Sequence, residues 1–150
     1  MNFKNFRDIL DFAVKNEEAA IKSYGDLMEK TQLPGLKELL KELQQEERHH
    51  KQLLLHTGGK EIEEHEIHAV ADLKISDYLV EDSLDPDSSF QDLLIFAAKK
   101  EKAAIDLYTS LLSKVKRPEF IKLFEFLIEQ ERSHKLKLET EYDKHILQED

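Results

Sequence analysis

The sequence predicts an all-α protein: a four-helix bundle made of two repeated helical hairpins joined by one long crossover. Three observations predict it. Apolar residues recur every three or four positions along four long segments, the period of a helix with one buried face. The second half of the chain repeats the first at a constant offset of 84 residues. Between the halves, from about 59 to 89, the spacing breaks down over a stretch too long to join neighbouring antiparallel helices.

Asn5 is placed to cap the first helix, with Asp8 in its first turn to complement the helix dipole. Phe6, Leu10, Ala13, Glu17, Ala20, Tyr24 and Leu27 then form the seam of a helix that packs nearly antiparallel to its neighbour. The helix should end near Lys30, because Thr31-Gln32-Leu33-Pro34-Gly35 is a turn whose proline suits the start of the next helix. Leu36, Leu40, Leu43, Glu47, His50 and Leu54 continue the spacing until Gly58-Gly59 stops it. Hairpin 1 therefore covers about 5–58. In the crossover, a short helix is expected around Ala71 to Leu79, and Asp85-Pro86-Asp87-Ser88-Ser89 is a turn cluster that ends in helix-capping residues. Phe90, Leu94, Ala97, Glu101, Ala104, Tyr108 and Leu111 mark the third helix, which breaks before Pro118. Phe120, Phe124, Leu127, Glu131, His134 and Leu138 mark the fourth, running on towards Ile146, so hairpin 2 covers about 90–147.

The repeat is specific. It maps Phe12-Ala13 onto Phe96-Ala97, Glu17 onto Glu101, Tyr24 onto Tyr108, Pro34 onto Pro118, Glu47-Arg48 onto Glu131-Arg132 and His50-Lys51 onto His134-Lys135. Over about fifty residues without a gap, roughly twenty positions are identical. With 150 residues the chain is most simply one domain. Its net charge of −10 argues against nucleic acid as a partner and suits a protein that attracts cations. No run of apolar residues is long enough to span a bilayer, and the first residues carry no signal-peptide pattern. Cysteine is absent, which excludes disulfides and thiolate ligands, and the expected location is the cytoplasm.

Glu47 and His50, like Glu131 and His134, lie three residues apart and so one turn apart on one helix face, where both can hold a single cation. Glu17 and Glu101 interrupt the apolar seams of the other two helices. Two glutamates and two Glu-x-x-His pairs on four helices form the ligand set of a carboxylate-bridged two-metal centre. Four carboxylates in core register would be costly without counter-charge, and two divalent cations would cancel them. Ala20 and Ala104 leave space at their level. Carboxylate and imidazole ligands without thiolate favour iron or manganese over copper(I) or structural zinc. Tyr24 and Tyr108, seven residues after the seam glutamates, are either hydrogen-bond donors to ligand carboxylates or core aromatics. Arg48 and Arg132 read as surface ion-pair partners, and His49, His56, His65, His68 and His145 as solvated side chains.

The paired Glu…Glu-x-x-His motifs, each with a tyrosine seven residues after the upstream glutamate, resemble the rubrerythrin branch of the ferritin-like superfamily along nearly the whole chain. The resemblance implies a ferritin-like bundle with two iron ions held by Glu17, Glu47, His50, Glu101, Glu131 and His134. It implies an oxidoreductase that reacts with hydrogen peroxide or dioxygen and cycles between diferrous and diferric states. Two departures stand out. Many members carry a further carboxylate one turn before the third-helix ligand, where this chain has Ala98, and this weakens the case for peroxide-dependent iron movement. Many also end in a four-cysteine rubredoxin module, so here the electrons would come from an external carrier such as a rubredoxin-like protein. The expected assembly is a homodimer or larger homo-oligomer. The alternative is a ferritin-type ferroxidase that stores or handles iron, and a third reading is a bundle that binds metal only for stability or docking.

Overall fold

The computed structural model describes residues 5–58, 73–74, 77–80 and 87–144. Four helices carry the fold: α1 (Phe6–Lys30), α2 (Pro34–Gly58), α3 (Phe90–Leu112) and α4 (Pro118–Tyr142). Their starts follow the capping chemistry of the sequence. Asn5 accepts a hydrogen bond from the Asp8 backbone N–H at 2.8 Å, and Ser89 accepts one from Asp92 at 3.1 Å. Pro34 and Pro118 each occupy the first position of a helix, where a missing N–H costs nothing. The described part of the short crossover helix expected around Ala71 to Leu79, residues 73–74 and 77–79, is not α-helical; the remainder lies outside the described residues.

α1 packs along α2 and α3 packs along α4, which gives the two hairpins. The hairpins join chiefly through α1 and α3, while α2 and α4 approach closely at only a few places. Buried pairs across these junctions fix the directions. Tyr24 meets Glu101 and Tyr108 meets Glu17, so α1 and α3 are antiparallel. His50 meets Glu131 and His134 meets Glu47, so α2 and α4 are antiparallel too. Every neighbouring pair therefore runs in opposite directions, an arrangement that needs one crossover along the length of the bundle.

The apolar core is divided. One cluster joins the start of α1 to the end of α3 and the start of α4, through Phe6, Leu10, Leu107, Tyr108, Phe120 and Phe124. The other joins the end of α1 to the starts of α2 and α3, through Tyr24, Leu27, Leu40, Leu43 and Leu94. Between them lies a layer of buried charged groups. Among the described residues no helix is long and apolar enough to cross a membrane.

Phe124 is fully buried, stacks on Tyr108 with ring centres 6.0 Å apart and meets Phe6 edge-on at 6.3 Å. Removing its ring leaves a cavity in the first cluster and should cost about 3–5 kcal/mol. Thermal unfolding of Phe124→Ala is expected about 10 °C below that of the parent chain.

Candidate metal centre

Three-residue spacing places Glu47 above His50 on α2 and Glu131 above His134 on α4, while the seams of α1 and α3 deliver Glu17 and Glu101. All six side chains meet in the layer between the two apolar clusters. None is more than 2% exposed. Their ligand atoms form two overlapping sets, Glu17-Glu47-His50-Glu131 and Glu47-Glu101-Glu131-His134, each with atoms within 4.8 Å of one another. Glu47 and Glu131 belong to both sets, whereas Glu17 and His50 belong to one and Glu101 and His134 to the other. Each set could hold one metal ion, and the two sets meet at Glu47 and Glu131.

Both imidazoles turn Nδ1 inward. His50 Nδ1 lies 2.7 Å from Glu131 Oε1, and His134 Nδ1 lies 2.5 Å from Glu47 Oε1. The rings stack with centres 5.6 Å apart. Tyr24 donates to Glu101 Oε1 and Tyr108 to Glu17 Oε1, both at 2.6 Å. Each tyrosine thus serves the glutamate of the opposite hairpin, so both are hydrogen-bond donors to the site as well as core aromatics.

Polar saturation stops there. Glu17 Oε2, Glu47 Oε1, Glu101 Oε2 and His134 Nδ1 are buried without a hydrogen-bond partner, the short approach of the last to Glu47 lacking hydrogen-bond geometry. Leaving such groups unsatisfied costs about 1–3 kcal/mol each, and more when they are charged. Four unpartnered electron-pair donors converging in one buried layer fit a pair of metal ions.

The titration behaviour of the metal-free site carries the same strain. Burial pushes Glu47 well above the usual carboxylate range, and the charges of Glu131 and Glu17 push it further. Burial and the Glu17 charge raise Glu131 to about 7 against the pull of His50. Burial also acts to raise Glu17, but its close neighbours Glu47 and His50 outweigh it and hold this carboxyl low. For His50, burial works downward and is overcome by Glu131 and Glu17, which raise it to about 9. His134 is lowered, chiefly by burial. Both tyrosines are pushed well above their ordinary value by burial and by the surrounding glutamates, and so keep the protons they donate.

Other sequence-singled residues lie outside this group. Arg48 is exposed and donates to Gln44, Arg132 is exposed, and His49 meets Phe126 at the surface. His65, His68 and His145 fall outside the described residues. Ala98 lines a separate groove with Leu94, Leu138 and Tyr142 and does not face the cluster's cavity. One contributor was missed in the sequence: Glu46, whose carboxylate bonds His134 Nε2. The sequence did not mark that contact, since Glu46 lies off the apolar seam beside Glu47 and its counterpart in the repeat is Gln130.

The sequence model of the rubrerythrin family matches residues 8–142. A solved structure of a hypothetical protein from Pyrococcus furiosus is 31% identical, covers 91% of this chain and 87% of its own, and superposes with a TM-score of 0.68. No curated protein matches the chain.

The metal-free site predicts a pH dependence. Glu131 and His50 both have folded-state values raised above their ordinary ones, so the stability they contribute is present at low pH. That stability is lost as pH rises through about 7 for Glu131 and about 9 for His50. Glu131→Gln removes the first contribution and the main support of the second. Between pH 5 and 9, the melting temperature of the metal-free wild type should therefore fall by at least about 4 °C relative to that of Glu131→Gln.

Proposed function

We propose that this chain, which belongs to the rubrerythrin family, is a di-iron oxidoreductase that reacts with hydrogen peroxide or dioxygen inside its bundle. The observation that carries the reading is the pair of overlapping ligand sets sharing Glu47 and Glu131. Glu17 and His50 would hold one ion, Glu101 and His134 the other, and the two shared glutamates would span both. Iron is the metal proposed, with manganese as the alternative the same donors would accept. Bound there, two iron ions supply Lewis acidity and two electrons for each peroxide reduced. An external electron-carrier protein is proposed to return those electrons.

The residues of the chain do the rest. Tyr24 and Tyr108 hold one oxygen of Glu101 and Glu17 and so leave the second oxygen of each aimed at the cluster. The two apolar clusters close the layer off at both ends of the bundle. A cavity of about 170 Å³ reaches the four glutamates from the side of α1 and α3. Ala19, Ala20, Ala103 and Ala104 form part of its wall, together with Tyr78, Leu79 and Val80 of the crossover. Neither histidine lines it, so a small oxidant would approach on the face away from both imidazoles. Since a water molecule in the liquid takes about 30 Å³, the space admits a peroxide or dioxygen readily.

Two measurements test the reading. Natively purified protein should carry two metal ions per chain, and Glu47→Ala or Glu131→Ala should each lose tight binding of the pair. Adding peroxide to the ferrous form should produce the absorption of a carboxylate-bridged diferric centre, and its absence overturns the oxidoreductase assignment. The ferritin-type alternative gains if size exclusion finds a large shell that retains oxidised iron. The route is tested separately: Ala104→Leu, which fills part of the cavity wall, should leave metal content at two and slow oxidation by peroxide at least about tenfold.

A further inference from the structure

The two halves of the metal centre use the same residue type at each inward position, so the 84-residue offset alone predicts two equivalent cation positions. The equivalence fails one residue outside that set. Glu46, just before Glu47, corresponds to Gln130, just before Glu131. Both are half-buried at matching places on α2 and α4. Their surroundings differ. Glu46 reaches across to α4, where its carboxylate accepts a hydrogen bond from His134 Nε2. On the other side His50 Nε2 is buried and has no hydrogen-bond partner.

A carboxylate on the outer N–H of an imidazole fixes the tautomer that leaves the inner nitrogen's lone pair free, and it strengthens that nitrogen as a donor. His134 has this support. His50 must instead keep its proton on a buried nitrogen that no acceptor receives, which opposes the ligating tautomer. The extra negative charge of Glu46 also lies on the His134 side alone. We propose that Glu46 is a positioning residue that makes the two cation positions unequal: the Glu101–His134 position fills first with a divalent cation, and the Glu17–His50 position fills second. Metal loading is then ordered, and a chain holding one ion holds it at a defined place.

The test uses the metal-free full chain with nitrogen-15-labelled histidine, titrated with zinc as a redox-inert probe. At one equivalent the Nδ1 resonance of His134 should move to its metal-bound position while that of His50 stays, and His50 should follow with the second equivalent. Competition with a chelator should give two constants separated by about 10–100-fold. Glu46→Gln should weaken the tighter step by that factor and remove the ordering, whereas Gln130→Glu should tighten the weaker step and narrow the gap. Circular dichroism establishes that each variant is helical. Simultaneous filling in the wild type, or an order that survives Glu46→Gln, overturns the proposal and leaves the two-metal reading standing. Failure to bind zinc at all overturns both.

Discussion

Four carboxylates held within a few ångströms of one another in the middle of a helix bundle repel, and each has lost its water. Desolvation alone costs several kcal/mol per ionised group. The chain answers in two ways. Without metal it shares protons, with Glu131 raised to about 7 and His50 to about 9. That answer is incomplete, because inward-facing oxygens of Glu17, Glu47 and Glu101 remain without partners. The two cations proposed for the site would complete it. The rest of the structure is organised to keep the glutamates together despite the cost: one apolar cluster on each side of the layer, built from opposite ends of the same helices, holds the four helices together.

The tyrosines show how the two hairpins are bound into one site. Tyr24 is seven residues from Glu17, a separation of about 10 Å along the helix axis, so it cannot serve that glutamate. Antiparallel packing of α1 and α3 brings it to Glu101 instead, while Tyr108 returns the favour to Glu17. Each hairpin therefore orients a carboxylate of the other. On the α2–α4 side, where the helices approach closely at few places, the contacts of His50 with Glu131 and of His134 with Glu47 cross the gap. Hydrogen bonds such as those of Tyr24, Tyr108 and His50 have length requirements that apolar contacts lack, so they favour one register of the helices over its neighbours.

Much of this was legible in the sequence, for a definable reason. A glutamate in a helical seam can be seen by counting, and the 84-residue offset turned four isolated oddities into one set. Helix starts were legible because Asn5, Ser89, Pro34 and Pro118 act locally. The destination of the tyrosines was not, since it depends on how two helices distant in sequence face each other. Glu46 was hidden for a related reason: it lies off the inward face of α2, in the register of a solvated side chain, and only the proximity of α4 gives it a partner. The crossover was the least legible. Its described residues 73–74 and 77–80 are not α-helical, and its role lies in what Tyr78, Leu79 and Val80 cover.

A bundle with a near-twofold repeat should offer a reactant two equivalent faces, yet chemistry at a buried centre needs one open side and one closed. On the α2–α4 face the two imidazoles stack on each other beside the carboxylates. The open side belongs to α1 and α3, where alanines replace bulk at the level of the site and a cavity forms. The repeated helices supply part of its wall, through Phe12, Lys15, Asn16 and Lys100 as well as the alanines. The crossover is the stretch without a counterpart in the repeat, and it adds Tyr78, Leu79 and Val80 to the wall. Tyr78 is tied there by donating to Ser110 Oγ of α3 at 2.9 Å. Among the described residues, the unrepeated segment is thus part of what makes the α1–α3 face differ from the α2–α4 face.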